Sequence, residues 1–313
     1  MNIQGANTEP FFRFLRFQED FGRNIKLAYG SIQVVNKTES DVQDDKGRCF
    51  ISLPTGDEPW GKDTQWRGIE RKRRTPQVTR FLSQMGVVVV TSAFEDFLIE
   101  VNAERSRYLD FFGSETPSGK PKEESRGEGN ALVNLYTSFG WKVDPIQYLL
   151  PLFDYFILAR NCIVHRSGRA SRAFVEHAES TLLRNSIDTW PSKSKKKLPE
   201  LPQVREGHAI QFFPRHPIMF CEICLRAAKE VNSGLADFLS LKGLVYMAAY
   251  HGLLADDRVP TNARNSVEQI INHILTERCL VGVPDKYEVI QILKKLGIWE
   301  QCQASYKRLQ ESG

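Results

Sequence analysis

Three long segments of the sequence have the apolar pattern of an α-helix: two have one apolar face, and the segment from 145 to 165 is apolar almost all round. They run from about residue 75 to 109, from 145 to 165 and from 217 to 239. Apolar residues that recur every three to four positions form one face of a helix, and another element must cover that face. The sequence is therefore predicted to be mainly α, with a helical bundle at its centre.

The remaining elements are shorter. Further helices are predicted over residues 8–29, 131–139, 170–185, 241–254, 263–275 and 287–296. Strand-like runs at Ile32–Val35, Cys49–Leu53 and Ala209–Phe213 predict small β-hairpin additions.

Three consecutive domains follow from this pattern. Residues 1–65 form an N-terminal helix with a short β extension, residues 66–240 form the bundle, and residues 241–313 form a C-terminal helical domain. Residues 113–130 are rich in Gly, Ser, Pro, Lys and Glu, and they are expected to be a flexible insertion. The 75–109 helix is expected to bury one continuous face. That face comprises Phe81, Met85, Val88, Val89, Phe94, Phe97, Leu98 and Val101.

Positive charge is concentrated in three stretches, although 42 basic and 38 acidic residues nearly balance over the whole chain. Residues 66–80 carry six basic residues and one acid, residues 160–172 carry four arginines and no acid, and residues 191–207 carry five basic residues and two acids. Clustered positive charge indicates a polyanionic partner. Solvated loops are the alternative for each stretch taken singly.

The composition indicates a cytoplasmic protein. No uninterrupted apolar run approaches the roughly 18 residues that span a bilayer, and the N-terminus lacks the pattern of a secretory signal. The six cysteines are scattered, as expected for free thiols in a reducing compartment. Cys221 and Cys224 have C-x-x-C spacing with His216 nearby, but a structural zinc site needs four ligands. Core cysteines are the favoured interpretation, a zinc or redox pair is the alternative, and no cofactor or metal is expected.

Residues 160–165, Arg-Asn-Cys-Ile-Val-His, lie at the end of a segment that is apolar almost all round. Such a helix is predicted to be buried, and burial of polar groups is costly unless they are satisfied or used. At about 100° per residue, Asn161 and His165 project along one stripe with Asp154. Histidine exchanges protons near neutral pH, and the arginine fork matches two phosphate oxygens. Arg160 and His165 together therefore suit cleavage of a phosphodiester.

This motif resembles the R-x(4–6)-H signature of HEPN domains (higher eukaryotes and prokaryotes nucleotide-binding), with the polar residue that usually follows the arginine. An upstream helix that contains Ala93-Phe94-Glu95-Asp96-Phe97 and a final helix over residues 217–239 extend the resemblance to about residues 75–240. Another Arg-Asn pair, Arg184-Asn185, has no histidine at the required distance.

The resemblance implies a homodimer in which two motif helices form one composite cleft. It implies a metal-independent endoribonuclease, often a toxin or an effector of phage defence, with an antitoxin or defence protein as a possible further partner. Arg160 is expected to stabilise the phosphate, His165 to act as general acid or base, and Asn161 to orient them. Glu95 and Asp154 are expected to support the site. RNA is expected to contact Arg166, Arg169 and Arg172.

Other interpretations of the same residues remain open. In a purely structural role, His165 caps its own helix and Arg160 pairs with Asp154 or Glu95. In a binding module, the bundle docks a protein, a nucleotide or a nucleic acid without catalysis. A DNA-binding regulator is the third alternative. The sequence contains no phosphate-binding G-x-x-x-x-G-K-[ST] loop, no dinucleotide-binding G-x-G-x-x-G after a strand and no G-x-S-x-G elbow.

Overall fold

The computed structural model describes residues 5–38, 71–113, 131–194, 198–256, 265–282 and 285–312. These residues are mainly helical, which confirms the predicted fold class. The α-helices are α1 (Glu9–Thr38), α2 (Arg71–Phe112), α3 (Ala131–Phe139), α4 (Leu150–His165), α5 (Arg172–Ala178), α6 (Thr181–Ser194), α7 (Arg215–Ala249), α8 (Val267–His273), α9 (Lys286–Lys295) and α10 (Trp299–Ser312). Two π-helical segments, Tyr250–Leu254 and Ile274–Arg278, follow α7 and α8.

The chain forms two compact units, and neither unit is continuous in sequence. Unit 1 comprises Met1–Phe17, Ala93–Gln147 and Cys224–Gly313. Unit 2 comprises Gln18–Ser92 and Tyr148–Ile223, so it contains all of α4. The helices α1, α2 and α7 each contribute residues to both units. The three consecutive domains inferred from the sequence remain a prediction.

The core of unit 2 is built around α4. The ring of Phe156 stacks on Phe220, with 4.6 Å between the ring centroids, and also on Phe212 at 5.9 Å. Tyr155 meets Phe174 of α5 edge-on at 4.9 Å. Buried aromatic pairs in these arrangements add stabilisation beyond the area that they remove from water. This packing fixes α4 by its apolar side.

The core of unit 1 combines aromatic packing with a buried ionic cluster. Phe14 of α1 contacts Phe94 and Phe97 of α2 at 5.7 and 5.4 Å between ring centroids. Glu104 of α2 accepts a hydrogen bond from Nε2 of His251 at 2.5 Å and pairs with Arg107. Both Glu104 and His251 are buried. A buried charge is stable only when it is paired in this way.

The predicted β-hairpin additions are wrong where the structure describes them. Ile32–Val35 continues α1, because three β-branched residues lower helix propensity only slightly and an established helix readily extends through them. Ala209–Phe213 makes a single antiparallel bridge, between Ala209 and Arg169. Cys49–Leu53 and most of the 113–130 insertion lie outside the described residues.

The predicted buried face of α2 is correct only in its second half. Phe94, Phe97, Leu98 and Val101 are buried. Phe81, Met85 and Val89 are 59%, 38% and 44% exposed, because the first half of α2 is apolar on two sides and buries Val87 and Val90 instead. By length and composition alone, Pro76–Phe112 is long and apolar enough to cross a membrane, a test that core helices of soluble proteins also pass.

Three predicted helix boundaries are confirmed. Pro151 lies in the first turn of α4, where its missing N–H costs nothing, and the helix stops before Ser167-Gly168. The predicted break between residues 239 and 241 falls at Ser240, whose φ of 56° interrupts α7. The C-terminal helix α10 was not predicted.

Candidate functional site

The helix α4 buries one side and exposes the other. Leu152, Phe153, Tyr155, Phe156, Ala159 and Cys162 are buried. Asn161, Val164 and His165 are exposed, and Arg160 is half-buried. The prediction that this helix is buried all round is therefore wrong. Unit 2 does not cover all of the apolar residues of α4. Val164 is left on the open face of the helix, together with the polar residues of the motif.

Arg160 and Asn161 are joined directly. Nη1 of Arg160 donates a hydrogen bond to the amide oxygen of Asn161 at 3.2 Å. The Nε atom of Arg160 is buried and has no partner within the described part of the chain. Asn161 therefore orients the guanidinium of Arg160, one of the two groups that it was expected to orient.

His165 stands in the last turn of α4, with its side chain exposed. Its ring makes no hydrogen bond or ion pair with another described residue, so its nitrogens are available to a ligand. Its backbone position is fixed, since the carbonyl oxygen of Cys162 accepts from the amides of both Arg166 and Gly168 at 3.0 Å. Ser167 and Gly168 take positive φ values of 53° and 73° to make this end.

A short backbone ladder follows the motif helix. The amides of Ala170 and Ile210 donate to the carbonyl oxygens of His208 and Gly168, each at 2.9 Å. Gln84 of α2 supports this ladder through a hydrogen bond from Nε2 to the carbonyl oxygen of Ile210 at 3.1 Å. The ladder brings residues 205–210 beside the end of α4. Sequence reasoning missed this neighbour, and only the separate positive clusters hinted at it.

The predicted RNA-contacting arginines all lie on the surface of unit 2, in or next to the ladder. Nη1 of Arg169 donates to the carbonyl oxygen of Gly207 at 3.0 Å, while Arg166 is exposed on the turn. Arg172 pairs with Glu176 at 2.8 Å, and this carboxylate raises the pKa of Arg172. Arg172 is therefore the least available of the three. Arg205, which the sequence interpretation did not single out, is also exposed.

The two supporting acids occupy different places. Asp154 is half-buried on α4, two turns before Asn161. Glu95 is exposed on the part of α2 that belongs to unit 1. The motif residues Arg160, Asn161 and His165 belong to unit 2 with the three surface arginines.

The cysteine pair has no exposed thiol. Cys221 and Cys224 are buried within α7, and burial raises the pKa of Cys221 to about 12. Nearby, Nδ1 of His216 accepts from the amide of Phe213 and Nε2 bonds the carbonyl oxygen of Glu200, so both ring nitrogens are used. Within the described ranges, no group of three or more His, Cys, Asp or Glu side chains is placed to hold a metal ion.

Three comparisons with known proteins were negative. No protein-family model matches the chain, and no curated protein and no solved structure is significantly similar to it.

Proposed function

We propose that this protein is a metal-independent endoribonuclease whose reactive groups are Arg160 and His165. The observation that carries this proposal is the open face of α4. There, an imidazole that has no partner among the described residues and a half-buried guanidinium held by Asn161 stand within two helical turns of each other, beside a surface rich in arginine. The resemblance of Arg160–His165 to the HEPN motif supports the same function.

In the proposed reaction, the RNA strand supplies its own nucleophile. A basic imidazole removes the proton of the 2′-hydroxyl, and the oxygen attacks the adjacent phosphorus. The bond from phosphorus to O5′ breaks, and an imidazolium returns a proton to the leaving oxygen. The products are a 2′,3′-cyclic phosphate and a 5′-hydroxyl. Arg160 stabilises the negative charge of the phosphorane, and Asn161 acts as a positioning residue because it holds Arg160.

We expect the wild-type protein to cleave RNA in the presence of EDTA. The variants His165→Ala and Arg160→Ala should lose this activity. Because proton transfer and charge stabilisation both act in the transition state, we expect His165→Ala to lower the cleavage rate about 10²- to 10⁴-fold and Arg160→Ala about 10²- to 10³-fold. The measurement is the rate of product formation on labelled RNA, with end-group analysis for the cyclic phosphate.

Matched controls exist elsewhere in the chain. Arg184 is an exposed arginine followed by Asn185, and His273 is an exposed histidine on α8. Arg184→Ala and His273→Ala should cleave like the wild type. Equal cleavage by the wild type, His165→Ala and Arg160→Ala would reject the ribonuclease and favour a binding module.

The homodimer is part of the same proposal, because a 2′-hydroxyl attack needs both a base and an acid and each chain contributes one imidazole to the motif. Phe81, Met85 and Val89, together with Val78, form an exposed apolar stripe on α2. This stripe and the open face of α4 both belong to unit 2. Exposed apolar residues at helical spacing are typical of a face that a partner covers. A second copy of the chain is the partner that completes the acid–base pair.

We expect Phe81→Glu to weaken the dimer, since a charge would enter an apolar interface. Loss of one central aromatic contact corresponds to a rise of about 30-fold or more in the dimer dissociation constant. Sedimentation of the wild type and the variant measures this change. Leu182→Glu replaces an exposed leucine of α6 and is the control, which should sediment with the same mass as the wild-type dimer. A wild-type protein that sediments as a monomer at high concentration would contradict the dimer.

A further inference from the structure

Phe212 and Phe213 are adjacent in sequence but differ sharply in burial. Phe212 is buried and stacks on Phe156 of α4, with 5.9 Å between the ring centroids. Phe213 is 51% exposed. Phe212 fills the core at this point, and about half of the Phe213 side chain is in solvent. The ring of Phe213 therefore contributes little to the packing of unit 2.

The exposed phenylalanine is nevertheless held in place. Its amide donates to Nδ1 of His216 at 2.8 Å, and Nε2 of His216 in turn bonds the carbonyl oxygen of Glu200 at 2.9 Å. Burial lowers the pKa of His216, which keeps the ring neutral and Nδ1 free to accept. The guanidinium of Arg215 lies over the Phe213 ring, 5.2 Å from its centroid. These hydrogen bonds fix the backbone of Phe213, and its ring contacts the ring of His216 with 5.8 Å between the centroids. A ring restricted in this way loses little freedom when a ligand stacks on it.

The backbone ladder connects the ring of Phe213 to the proposed reaction site by a short path. Phe213 is three residues from Ile210, whose amide bonds Gly168, and Gly168 is three residues from His165. At roughly 3.6 Å per residue, these steps place Phe213 less than about 30 Å from His165. A single strand of a few nucleotides covers such a distance.

Exposed arginines lie in or next to the ladder that joins the two positions, together with one acid, Glu206. Arg166 and Arg205 are exposed, and Arg169 is fixed to the carbonyl oxygen of Gly207 in the ladder. Arg215 is itself exposed at the start of α7. An exposed aromatic ring among arginines suits a polyanion with flat, apolar bases better than it suits an apolar protein surface.

We propose that Phe213, with Arg215, is a stacking platform for an unpaired base of the RNA strand that is cleaved at Arg160 and His165. This inference rests on the proposed function and adds to it a binding residue and a strand geometry. The bases of a duplex are already stacked on one another, so only an unpaired nucleotide can use the ring. The arginines of the ladder contact the phosphates that lie between the stacked base and the cleaved bond.

The test uses a fluorescein-labelled oligoadenylate with 2′-O-methyl groups, which cannot be cleaved because its nucleophile is blocked. We expect Phe213→Ala to weaken binding about 5- to 150-fold in an anisotropy titration, the range for loss of one base–aromatic stack. Phe213→Trp should bind like the wild type, and the fluorescence of its added tryptophan should fall when the strand binds. Tyr287→Ala removes another exposed aromatic residue, from α9, and should bind normally.

The outcomes separate this inference from the proposed function. Weakened binding by Phe213→Ala, in a protein that fails to cleave unmodified RNA, supports the platform while rejecting the ribonuclease. Equal binding by Phe213→Ala and the wild type overturns the platform, even if cleavage is confirmed. Constant fluorescence of Phe213→Trp, or the same Phe213 dependence with a duplex of equal length, also overturns it. Since the ring is exposed, an unchanged thermal midpoint of Phe213→Ala establishes that the variant is folded.

Discussion

Replacement of Glu104 by alanine is expected to lower the free energy of unfolding by about 3–5 kcal/mol, the usual cost of breaking a buried ion pair from one side. The variant leaves His251 buried without its acceptor and removes the partner of Arg107. The measurement is chemical denaturation of both proteins. Glu176→Ala removes an exposed partner of Arg172 and should leave the transition midpoint unchanged.

The pH dependence distinguishes an ionic role of Glu104 from a packing role. Burial acts to raise the pKa of Glu104, but the hydrogen bond and charge of His251, together with Arg107, outweigh it and lower this pKa. A lowered pKa in the folded state contributes stability above the unfolded pKa, and this contribution is lost as the pH falls through the folded value. The stability of the wild type should therefore fall on acidification more steeply than that of Glu104→Gln. Parallel curves for the two proteins would contradict the ionic role.

Replacement of Phe156 by alanine is expected to cost about 3–5 kcal/mol of stability, because it opens a cavity where Phe156 meets Phe220 and Phe212. Phe156 is fully buried, and at about 100° per residue it lies on the opposite side of α4 from His165. We therefore expect the variant to unfold at lower denaturant concentration while its folded fraction still cleaves RNA.

The control for Phe156 is Leu182→Ala, which trims a leucine that is 66% exposed on α6. This change should alter the free energy of unfolding by less than about 0.5 kcal/mol. A loss of the same size in both variants would show that the contact of Phe156 with its two aromatic neighbours is not the source of the effect.

Sequence reasoning predicted the helices better than their environments. Local signals were sufficient for α4, a long apolar segment with Pro151 in its first turn and Ser167-Gly168 after its end, and for the break at Ser240. Periodicity was less reliable for burial. It failed for Phe81, since a helix with apolar residues on two sides does not reveal which side is covered. It also missed the pair of Glu104 and His251, which are 147 positions apart and share no recognisable spacing.

For the candidate site, the sequence predicted the residues but not their contacts. Arg160, Asn161 and His165 could be selected because an apolar helix with such residues at its end is unusual. The hydrogen-bond partner of Asn161 could not be predicted, because the choice between Arg160 and His165 depends on side-chain rotamers. The role of residues 205–210 was equally hidden, since Arg169 reaches Gly207 across 38 positions of sequence.

The interleaving of the two units limits how the protein can be dissected. The backbone passes from one unit to the other four times, after Phe17, Ser92, Gln147 and Ile223. No single cut therefore releases either unit as an intact piece, and removal of the last 70 or so residues would delete only part of unit 1. Point substitutions, rather than truncations, are the suitable means of assigning a task to each unit.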